Sequence, residues 1–142
     1  MTAATAERVF FVRGIPAPKG SKKGFVSRSG HAIIVDSNKK SLRDWESAIR
    51  YVLQNGWTGP PHDGAVNVRL DFCLLRPPSV SAKKRPYPIV TPDLDKLARA
   101  CLDPMTGIVF RDDAQVTDLV LSKSYAEESG VRIVIEPITA RA

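Results

Sequence analysis

In the run AVNVRLDFCLL, Val66, Val68, Leu70, Phe72 and Leu74 recur at every second position. Strict alternation puts one row of side chains on each face of an extended strand, so one face here is apolar throughout. Such a strand needs a layer to cover it. A segment suited to that task follows in sequence. Leu94, Leu97, Ala98, Cys101 and Leu102 sit at i, i+3, i+4, i+7 and i+8, an apolar stripe down one side of a helix. A strand with one apolar face and a helix with one apolar stripe make complementary layers around a core.

The remaining elements fit the same scheme. RVFFVRGIP is a short β-rich run closed by Gly14 and Pro16. PAPKGSKKGFVSRSG carries Lys19, Lys22, Lys23 and Arg28 among glycines and serines and reads as a mobile basic loop. HAIIVD reads as a second strand. Leu42, Trp45, Ile49, Val52 and Leu53 mark a helix, with Ser41 and Asp44 spaced as a capping pair and Gly56 as its stop. RPPSVSAKKRPYP reads as an extended, exposed loop bearing Lys83, Lys84 and Arg85. The second helix is expected to start near Asp93, and Pro104 to end it near Leu102 or Asp103, because the residue before a proline avoids the helical region. GIVF reads as a short strand. AQVTDLVLSKSYA and VRIVIE read as strands joined by the turn EESG into an antiparallel hairpin. The order β-β-α-β-α-β-β-β describes an α+β single domain over residues 1–142, a mixed or antiparallel sheet with two helices packed on it. Residues 1–8 are expected to be flexible, and 17–30 and 76–91 to form basic loops.

Charge is distributed unevenly. Residues 1–90 hold fifteen Lys or Arg against six Asp or Glu, and residues 91–142 hold six against nine, within a total of +6. A net basic surface suits a polyanion, of which nucleic acid is the commonest. Cys73 and Cys101 are too few and too far apart for a disulfide framework or a zinc site. They read as buried free thiols in a reducing cytoplasm. His31 and His62 have no ligand-like neighbours. No segment reaches the ~18 apolar residues of a membrane helix. Val9 to Val12 is too short for a signal-peptide core, so a cytoplasmic setting is expected.

Against this basic background, the stretch from Thr91 to Leu119 gathers Asp93, Asp95, Asp103, Asp112, Asp113 and Asp118. Asp93 and Asp95 can converge only if Asp93 precedes the first helical turn, where Pro92 and the onset of the stripe at Leu94 put it. Both residues also suit a plain structural role, since Asp is a favoured N-cap and acids in the first turn complement the helix dipole. Asp112 and Asp113 are adjacent in extended chain, so at most one of them can join the first pair, and the other can serve a turn. If the strand bearing Asp113 lies beside the start of the second helix, three carboxylates meet. Such a cluster is costly without a cation, and its oxygen donors suit Mg2+ or Mn2+. A metal of this kind neutralises a phosphate and activates a water. Arg99, four residues after Asp95, either makes an i, i+4 salt bridge or presents a cation to the scissile phosphate. Lys96 points to another part of the polar face, towards DNA backbone. Other motifs fail. The Asp-x-Asp lacks the later ligands of a calcium loop, Lys96 follows Asp95 too closely for the acid-x-Lys of restriction-type nucleases, and PKGSKKG lacks the form of a phosphate-binding loop.

PDLDKLARACLD followed after a short gap by RDDAQVTDL resembles the RusA family of Holliday-junction resolvases, common in phages and prophages. The dense resemblance covers about residues 92–119, and the looser order of elements, a basic glycine-rich loop near the N-terminus and a terminal hairpin, is also similar. It implies a homodimeric, Mg2+-dependent endonuclease, with Mn2+ able to substitute, that nicks opposite strands of a four-way DNA junction symmetrically. The essential aspartates would be Asp93, Asp95 and Asp113, with Asp112 as a further metal ligand. The functional lysine of the family corresponds to Arg99, a departure that keeps an electrostatic role and removes a general-acid one. Lys22, Lys23, Arg28, Lys83, Lys84 and Arg85, with Lys96, would hold the junction arms through phosphates. Two other readings share these features: a catalytically silent junction- or DNA-binding protein, and a related nuclease acting on flaps, forks or replication intermediates.

Overall fold

The computed structural model describes residues 6–20, 22–26, 32–36 and 39–139. Strands β1 (Arg8–Arg13), β2 (Lys22–Val26) and β3 (Ala32–Asp36) lead into helix α1 (Lys39–Gly56). Strand β4 (Val66–Leu74), helix α2 (Leu94–Met105), strand β5 (Val116–Tyr125) and strand β6 (Gly130–Pro137) follow. A four-stranded mixed sheet has the order β1-β6-β4-β5, and β2 and β3 form a separate antiparallel pair. The domain is thus α+β, with two helices on a mixed sheet.

The alternating run becomes the centre of that sheet. Val66, Val68, Leu70 and Phe72 are buried against the helices, while Arg69 and Asp71 face the opposite side. β6 supplies the matching row, with Val131, Ile133 and Ile135 opposite Phe72, Leu70 and Val68. Trp45, Ile49 and Leu53 of α1 and Leu97, Ala98 and Cys101 of α2 close the same core. α1 lies towards β1 and α2 towards β5. The other face of the sheet is open, with an Arg69–Asp71–Arg132 ion-pair group and the exposed side chains Val9, Phe11 and Val120. One-sided covering is common where antiparallel pairs contribute to a sheet.

Several local expectations are corrected. The basic loop contains β2, whose residues Lys22–Val26 pair with Asp36–Ala32, so the segment is the first arm of a hairpin. α1 starts at Lys39, because Lys39 and Lys40 are good helix formers. Ser41 therefore lies inside the first turn, and Asp44 takes the Lys40 ammonium at 3.0 Å. α2 runs through Pro104 to Met105. In the last turn a proline costs only the bond to the Ala100 carbonyl, and Pro104 is buried in return. GIVF forms a tight turn: Gly107, at φ 91°, donates its N–H to the Phe110 carbonyl, and only isolated bridges tie Phe110 to His62 and Thr106. The segment 76–91 also turns, with Arg76 donating to the carbonyls of Arg85 and Pro86 at 3.4 and 3.3 Å and stacking on Tyr125.

The largest correction concerns the last two strands. β5 and β6 do not pair as a hairpin. β4 lies between them, parallel to β5 and antiparallel to β6. Tyr125 sits opposite Leu74, and Gly130 opposite Cys73, so the short connection arches over the end of β4. Its crossing spans two strand spacings, ~10 Å, which four residues reach easily. Ala126 anchors the arch by donating to the Leu74 carbonyl at 2.9 Å.

Candidate functional site

α2 begins where proline and aspartate stop extended chain. Asp93 has φ −76° and ψ 143° and stands at the N-cap, but its carboxylate makes no capping hydrogen bond. It is 53% exposed and lies 3.9 Å from the Lys96 ammonium. Asp95 is exposed in the first turn and has no hydrogen-bond or ion-pair partner among the described residues. The salt bridge open to Arg99 at i, i+4 is not formed among these residues. Arg99 is exposed and lies against the chain at Gly20, where an added Cβ would come within 3.2 Å of its guanidinium.

Two contacts hold this helix start in place. The Lys123 ammonium, from β5, donates to the carbonyls of Val90 and Pro92 at 2.7 and 2.8 Å. Lys19 donates its backbone N–H to the Lys96 carbonyl at 3.0 Å. The Lys19 side chain then bridges Asp103 of α2 and Glu46 of α1, at 2.5 and 3.2 Å. Its hydrogen bond to Asp103 raises its pKa above the ordinary lysine value, against the opposing effect of burial. Asp103 is thus committed to packing. Beside the helix start, Ile15, Leu75, Pro88, Val90 and Tyr125 line an apolar cleft of about 320 Å3.

Asp112 and Asp113 belong to a differently built element. Asp112 caps a single 3-10 turn, Asp113–Gln115, by accepting from the Ala114 N–H at 2.9 Å. Gln115 completes a capping box. Its Oε1 accepts from the Arg111 and Asp112 N–H groups at 2.8 and 3.0 Å, and its Nε2 donates to the His62 and Gly64 carbonyls at 2.7 and 2.8 Å. Nearby, Arg111 pairs with Asp63 and holds that carboxyl below the usual range. His62 donates its Nε2–H to the Ile138 carbonyl at 2.8 Å, which gives it a structural role. Asp113 is exposed and has no partner among the described residues. Gln115 was not singled out from sequence, although the Asp-x-x-Gln spacing was a legible capping signal.

The crossover from β4 through α2 to β5 separates these two acidic elements. β4 and β5 are parallel, so α2 must run back between them. Its start is tied through Lys123 to the C-terminal end of β5, whereas Asp113 immediately precedes that strand's N-terminal end. The seven residue steps from Val116 to Lys123 put the two ends roughly 20 Å apart. Asp93 and Asp95 stand at the same helix start, and neither Asp112 nor Asp113 joins them within the chain. Among the described residues, no three His, Cys, Asp or Glu side chains lie close enough to hold a metal ion. Among the described residues, one chain therefore sets Asp93 and Asp95 at one helix start with no third acidic ligand beside them.

Lys83 and Lys84 are exposed, and Arg85 is half-buried in the folded 76–91 segment. Lys22 and Lys23 lie on β2, and Arg28 lies outside the described residues, as does His31. The β2–β3 hairpin leaves the body just after Lys19 and Gly20, beside Lys96 and Arg99 of α2. Cys101 is buried and its thiol pKa is pushed up by that burial, while Cys73 is only half-buried. No helix among the described residues is long and apolar enough to cross a membrane.

The family model for endodeoxyribonuclease RusA matches residues 16–136. The uncharacterized protein YqaN of Bacillus subtilis (strain 168) is 28% identical over 145 residues, covering 92% of this chain and 96% of that protein. A crystal structure of 2C-methyl-D-erythritol 2,4-cyclodiphosphate synthase from Plasmodium vivax aligns over 99% of this chain and 98% of its own, at 10% identity and a TM-score of 0.24. That score is too low to carry any likeness of fold.

Proposed function

The chain belongs to the endodeoxyribonuclease RusA family, and on that premise we propose that it is a Mg2+-dependent, structure-specific endonuclease that resolves four-way DNA junctions by symmetric paired nicks as a homodimer. The family resolves Holliday junctions and depends on a divalent metal. The proposal names Mg2+, with Mn2+ substituting, and a cytoplasmic role in recombination and repair of phage or prophage origin.

The observation that carries the reading is how the aspartates are used. Asp103 is bound by Lys19, Asp63 by Arg111, Asp71 by Ser122 and Arg69, and Asp112 by its own turn. Asp95, Asp113 and Asp118 are left exposed without partners among the described residues, and Asp93 has only a long contact to Lys96. Exposed carboxylates kept free of ion pairs, in a basic protein, are available for a ligand. Arg99 would place a permanent charge near a phosphate. Lys83, Lys84, Lys96 and the basic hairpin would hold DNA backbone, contacts that position the substrate without reading sequence.

The separation of the two acidic elements favours one competing reading, a DNA-binding protein without catalysis. A synthetic four-way junction, a fork and a linear duplex, each incubated with Mg2+, distinguish the readings. Paired nicks on the junction, lost in Asp113→Asn with binding retained, are the expected result. Binding without nicking by the wild type would leave the silent reading in place, and faster cleavage of the fork would shift the substrate assignment.

A further inference from the structure

Resting on the nuclease reading above, we propose that Lys123 is a positioning residue of the acidic helix start: its ammonium, reaching from β5, does from outside what an N-terminal cap does from within, and so leaves the Asp93 carboxylate to a ligand. The starting point is a lysine where the strand pattern calls for an apolar residue. In the register of β5 on β4, Leu119, Leu121 and Lys123 stand opposite Val68, Leu70 and Phe72. Those three β4 residues are buried against the helices, and cross-strand neighbours share a face. Lys123 therefore rises on the helix-covered face, where it is half-buried. Taking an ammonium out of water is costly unless its donors find acceptors. No carboxylate pairs with this one among the described residues, and its partners are two backbone carbonyls, Val90 at 2.7 Å and Pro92 at 2.8 Å.

The place of those carbonyls in the chain decides what the contact does. A peptide group is planar, so the Pro92 oxygen shares a plane with the nitrogen and Cα of Asp93. Fixing that oxygen fixes the root of the Asp93 side chain, and the Val90 carbonyl fixes the approach two residues earlier. Among the described residues, no other hydrogen bond ties residues 88–92 to a strand or helix. Ile89, Val90 and Thr91 are exposed, so burial adds little to the hold.

The other way to fix a helix start is to spend the N-cap carboxylate on the backbone. Asp112 does so at the turn before β5, accepting from the Ala114 N–H. Asp93 stands at the same kind of position and caps nothing. With Lys123 gripping the preceding carbonyls, α2 starts at a defined place while the carboxylates of Asp93 and Asp95 stay out of the backbone's hydrogen bonds. The role differs from those of Lys96 and Arg99. Lys123 acts on the chain that carries the carboxylates and needs no contact with DNA.

Lys123→Met keeps most of the stem and removes the donors. Its single-turnover nicking of a saturating four-way junction in Mg2+ is expected to fall ~10- to 100-fold, the scale of a small misplacement of reacting groups. Junction affinity in Ca2+ should be unchanged. NMR-detected amide exchange at Leu97, whose N–H bonds to the Asp93 carbonyl, should accelerate about tenfold, while exchange in β4 and β6 stays as in the wild type. Lys123→Arg keeps the charge and two donors and should recover most of the nicking rate. Wild-type nicking by Lys123→Met overturns the proposal. So does a loss of rate matched by a loss of junction affinity, which makes Lys123 a DNA contact, and so does faster exchange throughout the sheet, which makes it a general packing residue. If the wild type cuts no branched DNA, the nuclease reading fails by itself, and exchange at Leu97 still decides whether Lys123 holds the helix start.

Discussion

The start of α2 and the turn before β5 each present aspartates to solvent, but they are held by opposite means. At α2, backbone and partners are external: Lys123 holds the Val90 and Pro92 carbonyls, Lys19 holds the Lys96 carbonyl, and the carboxylates of Asp93 and Asp95 hold nothing up. At the turn, the side chains are themselves the scaffold, with Asp112 and Gln115 satisfying the backbone. Neighbouring aspartates of one motif can therefore do different work. Asp112 shapes the turn, and the turn presents Asp113. Removing a carboxylate should cost function at Asp93, Asp95 and Asp113, and fold at Asp112.

The sharpest break of that contrast comes from charge removal. Asp95→Asn and Asp113→Asn should each lower junction cleavage by ~100-fold or more while leaving thermal unfolding unchanged, as measured by single-turnover nicking and calorimetry. Gln115→Ala should act the other way. It loses two accepted and two donated hydrogen bonds and should destabilise by about 2–3 kcal/mol in chemical denaturation. Asp112→Ala should cost about 1 kcal/mol and retain cleavage where the protein is folded. If Asp112→Ala removed cleavage as fully as Asp113→Asn with no loss of stability, the two residues would not be divided as described.

Smaller effects sharpen the picture around α2. Replacing Lys83, Lys84 and Arg85 together by alanine should weaken junction binding and reduce its log–log salt slope by about 2–3, and an unchanged slope would take that segment out of the interface. Lys19 is partly exposed, so its bridge to Asp103 and Glu46 should contribute under about 1 kcal/mol. Because the fold raises its pKa, that contribution is fully present below the unfolded lysine value of about 10.4 and is lost as pH climbs through the folded value. Lys19→Met should show a stability deficit at pH 7 that shrinks at strongly alkaline pH.

The sequence determined the parts. The alternation in β4, the stripes of α1 and α2, the proline and aspartate at the start of α2, and the family motif are all local patterns, since side-chain direction follows residue spacing within a strand or helix. Tertiary structure decided their relations. EESG looked like a hairpin turn, yet β4 took the place between β5 and β6, because pairing depends on which strands can share buried faces across the whole chain. Pro104 stayed helical because the core accepted it in a last turn. Most of all, the residues after Pro92 and those before Val116 look adjacent in a stretch of fewer than thirty residues. The parallel crossover drives them to opposite ends of the sheet, since a helix returning between parallel strands must run against both. Spacing along the chain supplied the candidates, and strand polarity decided which of them one chain can bring together.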